Sequence, residues 1–206
     1  MKIDRHGQAK ILSPAEIQLL FSSGLTNPRD RTLFGVMLFT ACRVQEACTL
    51  LKKDVYEPSG KVRAELIIRK EHTKGKLATR TIPVLQDLGN LLRNYYQYAG
   101  EYYLFPGRFG AGFIHPDSAT RIFRKACKKV GIVGASSHSF RRTALTQMSN
   151  SGIPLRIIQE ISGHRNLEQL QRYLEVNPEQ VRGAISSLSM LSPAAGEVGK
   201  YGVHPT

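Results

Sequence analysis

Four short stretches of this chain carry side chains able to act on a charged substrate. They are Ala41-Cys42-Arg43-Val44-Gln45-Glu46, a polar segment with Lys74 and Lys76, His138-Ser139-Phe140-Arg141-Arg142, and Ser162-Gly163-His164, followed nine residues after the histidine by Tyr173. Arginine presents a planar fork that donates two parallel hydrogen bonds to an oxyanion and keeps its charge. Histidine moves protons near neutrality. Tyrosine is a weak nucleophile at neutral pH, with an unperturbed pKa of about 10, unless nearby cations stabilise its phenolate. Taken singly, each stretch also has a plain structural reading. The H-x-x-R pair could be a helix-surface pair, the Gly-His a cap or core histidine, the tyrosine packing, and the lysines a solvated turn. Cys42, Cys48 and Cys127 are odd in number and lack metal-ligand spacing, so they read as reduced, buried thiols with no metal.

The elements that must hold these residues follow from periodicity. Residues 1–12 read as an arm or linker. Ser13-Pro14-Ala15-Glu16 is a capping box with proline at the first helical position, and the helix it opens should stop near Gly24. Asn27-Pro28 opens a second helix carrying Leu33, Val36, Met37 and Phe39, and residues 43–51 read as a short third one. Between residues 61 and 70, Val62, Ala64, Leu66 and Ile68 alternate as in a strand; Ile82 and Val84 alternate again within 80–85. The polar stretch 72–79 between them predicts a β-hairpin with a lysine-rich tip. Helical spacing returns at 87–98, where Tyr95, Tyr96 and Tyr98 divide between core and surface. After a Gly/Pro-rich loop at 105–116, it resumes at 117–130, 137–151, 154–161 and 166–175. A last helix at 178–188 carries the apolar stripe Val181, Ala184, Ile185 and Leu188. Its stripe suits either its own domain or a neighbouring protomer. The tail from 191 to 206 is rich in Gly, Pro and small residues and reads as flexible. The expected fold class is α+β, mainly α, with helices packed around a small antiparallel hairpin and one compact domain over 13–190.

Charge narrows the partner. Lys plus Arg is 29 against 16 Asp plus Glu, a formal net charge of +13. Such a field favours a polyanion. The cations are dispersed rather than gathered into one amphipathic stripe, which favours a folded surface for nucleic acid over an anionic membrane. No stretch is long and apolar enough to span a bilayer, and the first residues lack a secretory h-region, so the expected location is cytoplasmic.

The four stretches in this order resemble the catalytic domain of the tyrosine recombinase, or phage-type integrase, family. The likeness extends over residues 11–190. Within it, EISGHRNLEQLQRY at 160–173 is similar to the family's stretch from second histidine to nucleophile, and TKGK followed by TRTIPV to its lysine turn and next strand. The resemblance implies the family's catalytic-domain fold and a site of Arg43, Lys74, His138, Arg141, His164 and Tyr173, with Glu46 orienting Arg43. The family lysine commonly stands five residues before the arginine of the next strand. Lys74 stands six before Arg80 and Lys76 four before it, so Lys76 is the alternative, with Lys74 preferred for the Lys-Gly pair. A leucine is common where Ser162 precedes the Gly-His. The family's N-terminal core-binding domain is not expected in these residues, which makes the chain either a fragment or a single-domain member.

The resemblance implies that Arg43 and Arg141 bind a scissile DNA phosphate. His164 donates to it, Tyr173 attacks, His138 assists proton transfer from the phenol, and the lysine protonates the leaving 5′ oxygen. The products are a 3′-phosphotyrosyl link and a 5′ hydroxyl. The scheme draws on no cofactor, metal or ATP. Its partners would be double-stranded DNA and three further copies in a tetramer, with a monomer when free of DNA. Type IB topoisomerase-like relaxation and an inactive DNA-binding relic are the alternatives. Arg142 cannot share a phosphate with Arg141 from one helix face and is expected to be solvated or to touch the DNA backbone. Tyr201, in the tail, has no motif around it.

Overall fold

The computed structural model describes residues 9–69, 79–171 and 178–188. It divides into two units, residues 1–175 and 176–206. In the first, α1 (Pro14–Leu19) begins with the expected capping box: the Ser13 hydroxyl accepts from Glu16 N–H, and the Glu16 carboxylate from Ser13 N–H. A wide helical turn, Leu20–Gly24, ends it at the expected glycine. α2 (Pro28–Thr40), capped by Asn27, is the central helix. Thr32 to Met37 are all buried, so α2 is enclosed on nearly every side rather than amphipathic. Gly35 allows this on one side. A Cβ there would lie 2.4 Å from Leu91 Cδ1, so Leu91 of α4 (Gln86–Tyr95) fills the space that a side chain would take.

Three rings lock the centre. Phe34 of α2 stacks on Phe140 at 5.6 Å between centroids, and Phe123 packs against both at 5.3 and 5.0 Å. Phe123 belongs to α5 (Pro116–Lys129) and Phe140 to α6 (Ser139–Asn150), so one aromatic cluster joins three helices. Phe140 immediately precedes Arg141.

The hairpin is shorter than the alternation suggests. β1 (Glu65–Ile68) pairs antiparallel with β2 (Arg80–Pro83), Leu66 opposite Ile82 and Ile68 opposite Arg80. Val62 makes only an isolated bridge to Tyr56, since the chain bends at Ala64 before the ladder starts. The expected hairpin tip lies outside the described residues. The third helix is also shorter: α3 spans Val44–Cys48, and a 3-10 turn at Lys52–Asp54 follows. The helix at 87–98 becomes α4 plus a 3-10 turn at Tyr96–Tyr98, with Tyr95 buried and Tyr98 exposed. α7 (Leu155–Ser162) and α8 (Leu167–Gln171) complete this unit. All three cysteines are buried and unpaired, and burial pushes Cys42 and Cys48 up to about 12 and Cys127 to about 11.

Where described, the expected N-terminal arm is no free arm. Leu12 is buried in the core, its N–H donates to Thr143 Oγ1 at 2.9 Å, and Lys10 N–H donates to the Gly134 carbonyl at 3.3 Å. Residues 1–8 lie outside the described residues, as does the expected tail 191–206 with Tyr201. In the second unit, α9 (Pro178–Ser186) forms as expected, and Val181, Ile185 and the following Leu188 are exposed. Among the described residues no helix is long and apolar enough to cross a membrane.

Candidate active site

The site is built where α2 ends. Ala41 adopts the left-handed conformation, φ 51° and ψ 22°, which costs a residue with a Cβ about 1–2 kcal/mol. The turn has a use: the Ala41 carbonyl accepts from Arg141 Nη1 at 2.6 Å. Two residues later Arg43 caps α3, with a quarter of its side chain exposed. The loop that starts Arg43 toward solvent therefore also anchors Arg141, although 98 positions separate them in sequence.

Glu46, fully enclosed, organises Arg43. Its Oε2 accepts from the Arg43 backbone N–H at 2.8 Å, and its Oε1 from Arg43 Nη1 at 3.2 Å. Arg80 of β2 grips the same carboxylate from the other side, Nη2 to Oε2 at 2.9 Å and Nη1 to Oε1 at 3.5 Å. Burial alone would raise this carboxyl's pKa. The Arg80 charge and the Arg43 N–H outweigh it and hold the pKa below the usual range, so Glu46 is a carboxylate.

Arg141 is buried, and its Nη2 is paired as well. Nη2 donates to the Ser162 carbonyl at 2.9 Å and lies 3.0 Å from His164 Nε2 and 3.3 Å from Nδ1. Desolvation and then the charge of Arg43 lower its pKa to about 10, which leaves it protonated at neutral pH. Arg43, Arg80 and Arg141 thus gather about one carboxylate, a surplus of positive charge. That surplus suits the extra negative charge that develops on a phosphate under attack.

His164 sits where α7 closes. Gly163 caps α7 in the left-handed conformation, φ 63°, and Gln159 Nε2 donates to the His164 carbonyl at 3.0 Å. The imidazole is buried, with Nδ1 2.7 Å from Ser162 Oγ. Burial, then Arg141, Arg43 and Arg80, push its pKa down to about 3, so the ring is neutral. A neutral ring carries one N–H. Arg141 Nη2 can only donate, so Nε2 accepts from it, and the Ser162 hydroxyl donates to the Gln159 carbonyl at 3.3 Å, so the ring's proton is on Nδ1 and donates to Ser162 Oγ. A cleft of about 450 Å³ beside this turn is lined by Arg80, Ile82, Gln159, Gly163 and His164. The larger one, about 900 Å³ between α2 and α4, contains none of the motif residues.

His138 is exposed at the N-terminus of α6, one helical turn before Arg141. Arg142 corrects an expectation. It is neither solvated nor on an outer face but buried, with Nη1 donating to the Ala9 carbonyl at 2.7 Å. The reason is that its side of α6 is covered by residues 9–12. Lys74, Lys76 and Tyr173 lie outside the described residues. The described structure thus brings together Arg43, Glu46, Arg141 and His164. Sequence reasoning missed Arg80, Ser162 and the Ala41 carbonyl. A signal existed for Arg80, since it shares the inward strand phase of Ile82; a left-handed alanine leaves none.

Comparison with known proteins identifies the family and the fold. The model of the phage integrase family matches residues 10–180. A tyrosine recombinase of Pseudothermotoga lettingae is 31% identical over 182 residues, 86% of this chain and 60% of that protein. Tyrosine recombinase XerA of Pyrococcus furiosus is 30% identical over 172 residues, 82% of this chain and 57% of that protein. The chain therefore spans about three fifths of the length of these relatives. The fold is that of solved recombinases. A XerA recombinase structure superposes with a TM-score of 0.72 at 23% identity, over 89% of this chain and 66% of that one. The Tn1549 transposon integrase, in complex with transposon right end DNA, does so with 0.72 at 17% identity, over 90% and 68%. With the family model matched over most of its length, the chain belongs to the phage integrase family, as a tyrosine recombinase catalytic domain.

Proposed function

We propose that this chain is the catalytic part of a site-specific DNA recombinase that cleaves and rejoins strands through Tyr173. The observation that carries the reading is the convergence of Arg43, Arg141 and His164 from three distant stretches on one positively charged site, with Glu46 holding the backbone of the first and the Ala41 carbonyl the fork of the second. Arg43 and Arg141 hold the non-bridging oxygens of the scissile phosphate, and neutral His164 accepts from Arg141 at Nε2 and so orients it toward the phosphate. The Tyr173 phenolate forms a bond to phosphorus as the bond to the 5′ oxygen breaks. His138 accepts the phenolic proton, and Lys74, or Lys76 in its place, protonates the leaving oxygen. The phosphotyrosyl ester conserves the bond energy, and attack by a second strand's 5′ hydroxyl reverses the step. Exchange between two duplexes needs four active sites, hence a homotetramer on DNA. The relatives' names and the DNA in solved neighbours support DNA as the partner.

The test uses a pool of duplexes with a randomised core. Each is nicked so that cleavage releases a short fragment that diffuses away and leaves the enzyme trapped. Wild type should give a complex stable to SDS, from which the cleaved sequence is read. Tyr173→Phe should give none. A complex with Tyr173→Phe reassigns the nucleophile; none with wild type rejects the reading.

A further inference from the structure

Arg80 is assigned no role by the motifs that point to the site, yet it is among the most enclosed charges of the described residues, 7% exposed. Its guanidinium holds both oxygens of Glu46. Those same oxygens accept from the backbone and side chain of Arg43. On its opposite side Arg80 is pressed by the turn that presents His164. A Cβ on Gly163 would stand 1.8 Å from Arg80 Nη1 and 2.8 Å from Cζ, so a side chain there would displace the guanidinium, and glycine also suits the positive φ. One strand residue thus touches two separately encoded parts of the site.

We infer that Arg80 is a positioning residue for the phosphate clamp: by occupying half of the Glu46 carboxylate it leaves Arg43 loosely held and free to turn its fork to the substrate. Without Arg80, the buried carboxylate has Arg43 as its remaining hydrogen-bonded cation and draws that guanidinium back onto itself. The clamp then loses one arm while every residue that would touch DNA is still present. This inference rests on the proposed strand cleavage.

The probe is the duplex selected in the wild-type experiment, and a second copy with a methylphosphonate at the scissile position, which removes the phosphate's negative charge. Single-turnover formation of covalent complex is measured on both, and affinity by gel shift. Arg80→Lys keeps the buried charge but not the two-pronged grip. It should slow cleavage of the phosphodiester about tenfold, by analogy with loss of part of an oxyanion-binding donor. It should change the methylphosphonate rate less than twofold and leave affinity within twofold. In a Glu46→Gln background Arg80→Lys should add nothing, because its effect passes through that carboxylate. Gly163→Ala, which forces the guanidinium aside, should give the Arg80→Lys pattern. Equal slowing on both substrates, wild-type rates for Arg80→Lys, or a further loss in the Glu46→Gln background would each overturn the inference. If circular dichroism shows Arg80→Lys unfolded, Glu46→Gln is compared with the neutral pair Glu46→Gln/Arg80→Met. Equal rates support the inference and unequal ones overturn it. Absence of complex with wild type rejects the cleavage reading itself, which is seen before any variant is tested.

Discussion

Arg141 is charged where water cannot solvate it, so its worth depends on fixed partners. Two carbonyls, of Ala41 and Ser162, hold its fork before any substrate arrives. Arg141→Ala should reduce the rate of covalent complex formation by roughly 10²–10³, as for loss of a preorganised charge-stabilising donor. It should also cost about 1–3 kcal/mol of stability from the carbonyls left unpaired, read as a lower urea midpoint. His164 makes a different prediction. With its pKa near 3, ¹⁵N spectra at pH 5 should show a neutral ring protonated on Nδ1; a ring that titrates near 6.5 would contradict this. The sign for stability follows. Above 6.5 the ring is neutral in both states and the group favours neither. As pH falls from 6.5 towards 3 the unfolded chain takes up the proton and the native ring does not, so stability is lost across that window.

At the scale of elements, α6 works as a bar with two fixed faces. Phe140 inserts between Phe34 and Phe123, Arg141 reaches the α2–α3 turn, and Arg142 is covered by residues 9–12. Successive residues of one helix thus tie the core, the site and the entering chain together. Phe140→Ala should cost about 3–5 kcal/mol, from lost burial and the cavity left in the aromatic cluster. Thermal unfolding measures the cost. Because Phe140 neighbours Arg141, activity per folded molecule should fall as well, a result that a remote core substitution of equal cost would not give.

For the whole molecule the governing quantity is charge. A net +13 leaves a positive field after all ion pairs are counted. DNA binding should therefore release several counterions, with log affinity falling against log salt at a slope of about −0.9 for each phosphate contacted. A slope of about −5 or steeper is expected from titrations between 50 and 200 mM salt on duplex DNA. A slope near zero would mean that the basic surface does not meet the backbone, and the proposed function would lose its electrostatic basis.

The sequence by itself determined where most helices lie, the caps of the first two, the hairpin pairing and the family, and it singled out Arg43, Glu46, His138, Arg141 and His164 as candidates, because these depend on local signals: Ser13 and Asn27 as caps, alternation at Leu66, Ile68 and Ile82, and motif order. Only the tertiary structure decided how the charges share a site. Arg80 reads in sequence as a strand residue and Arg142 as a surface cation, yet both are buried, since each is covered by a segment remote in the chain: the Gly163 turn over one and residues 9–12 over the other. Periodicity records which face of an element is apolar. It cannot record which carboxylate or carbonyl will meet a charge on that face, because the partner is fixed by packing between distant elements and leaves no spacing to read.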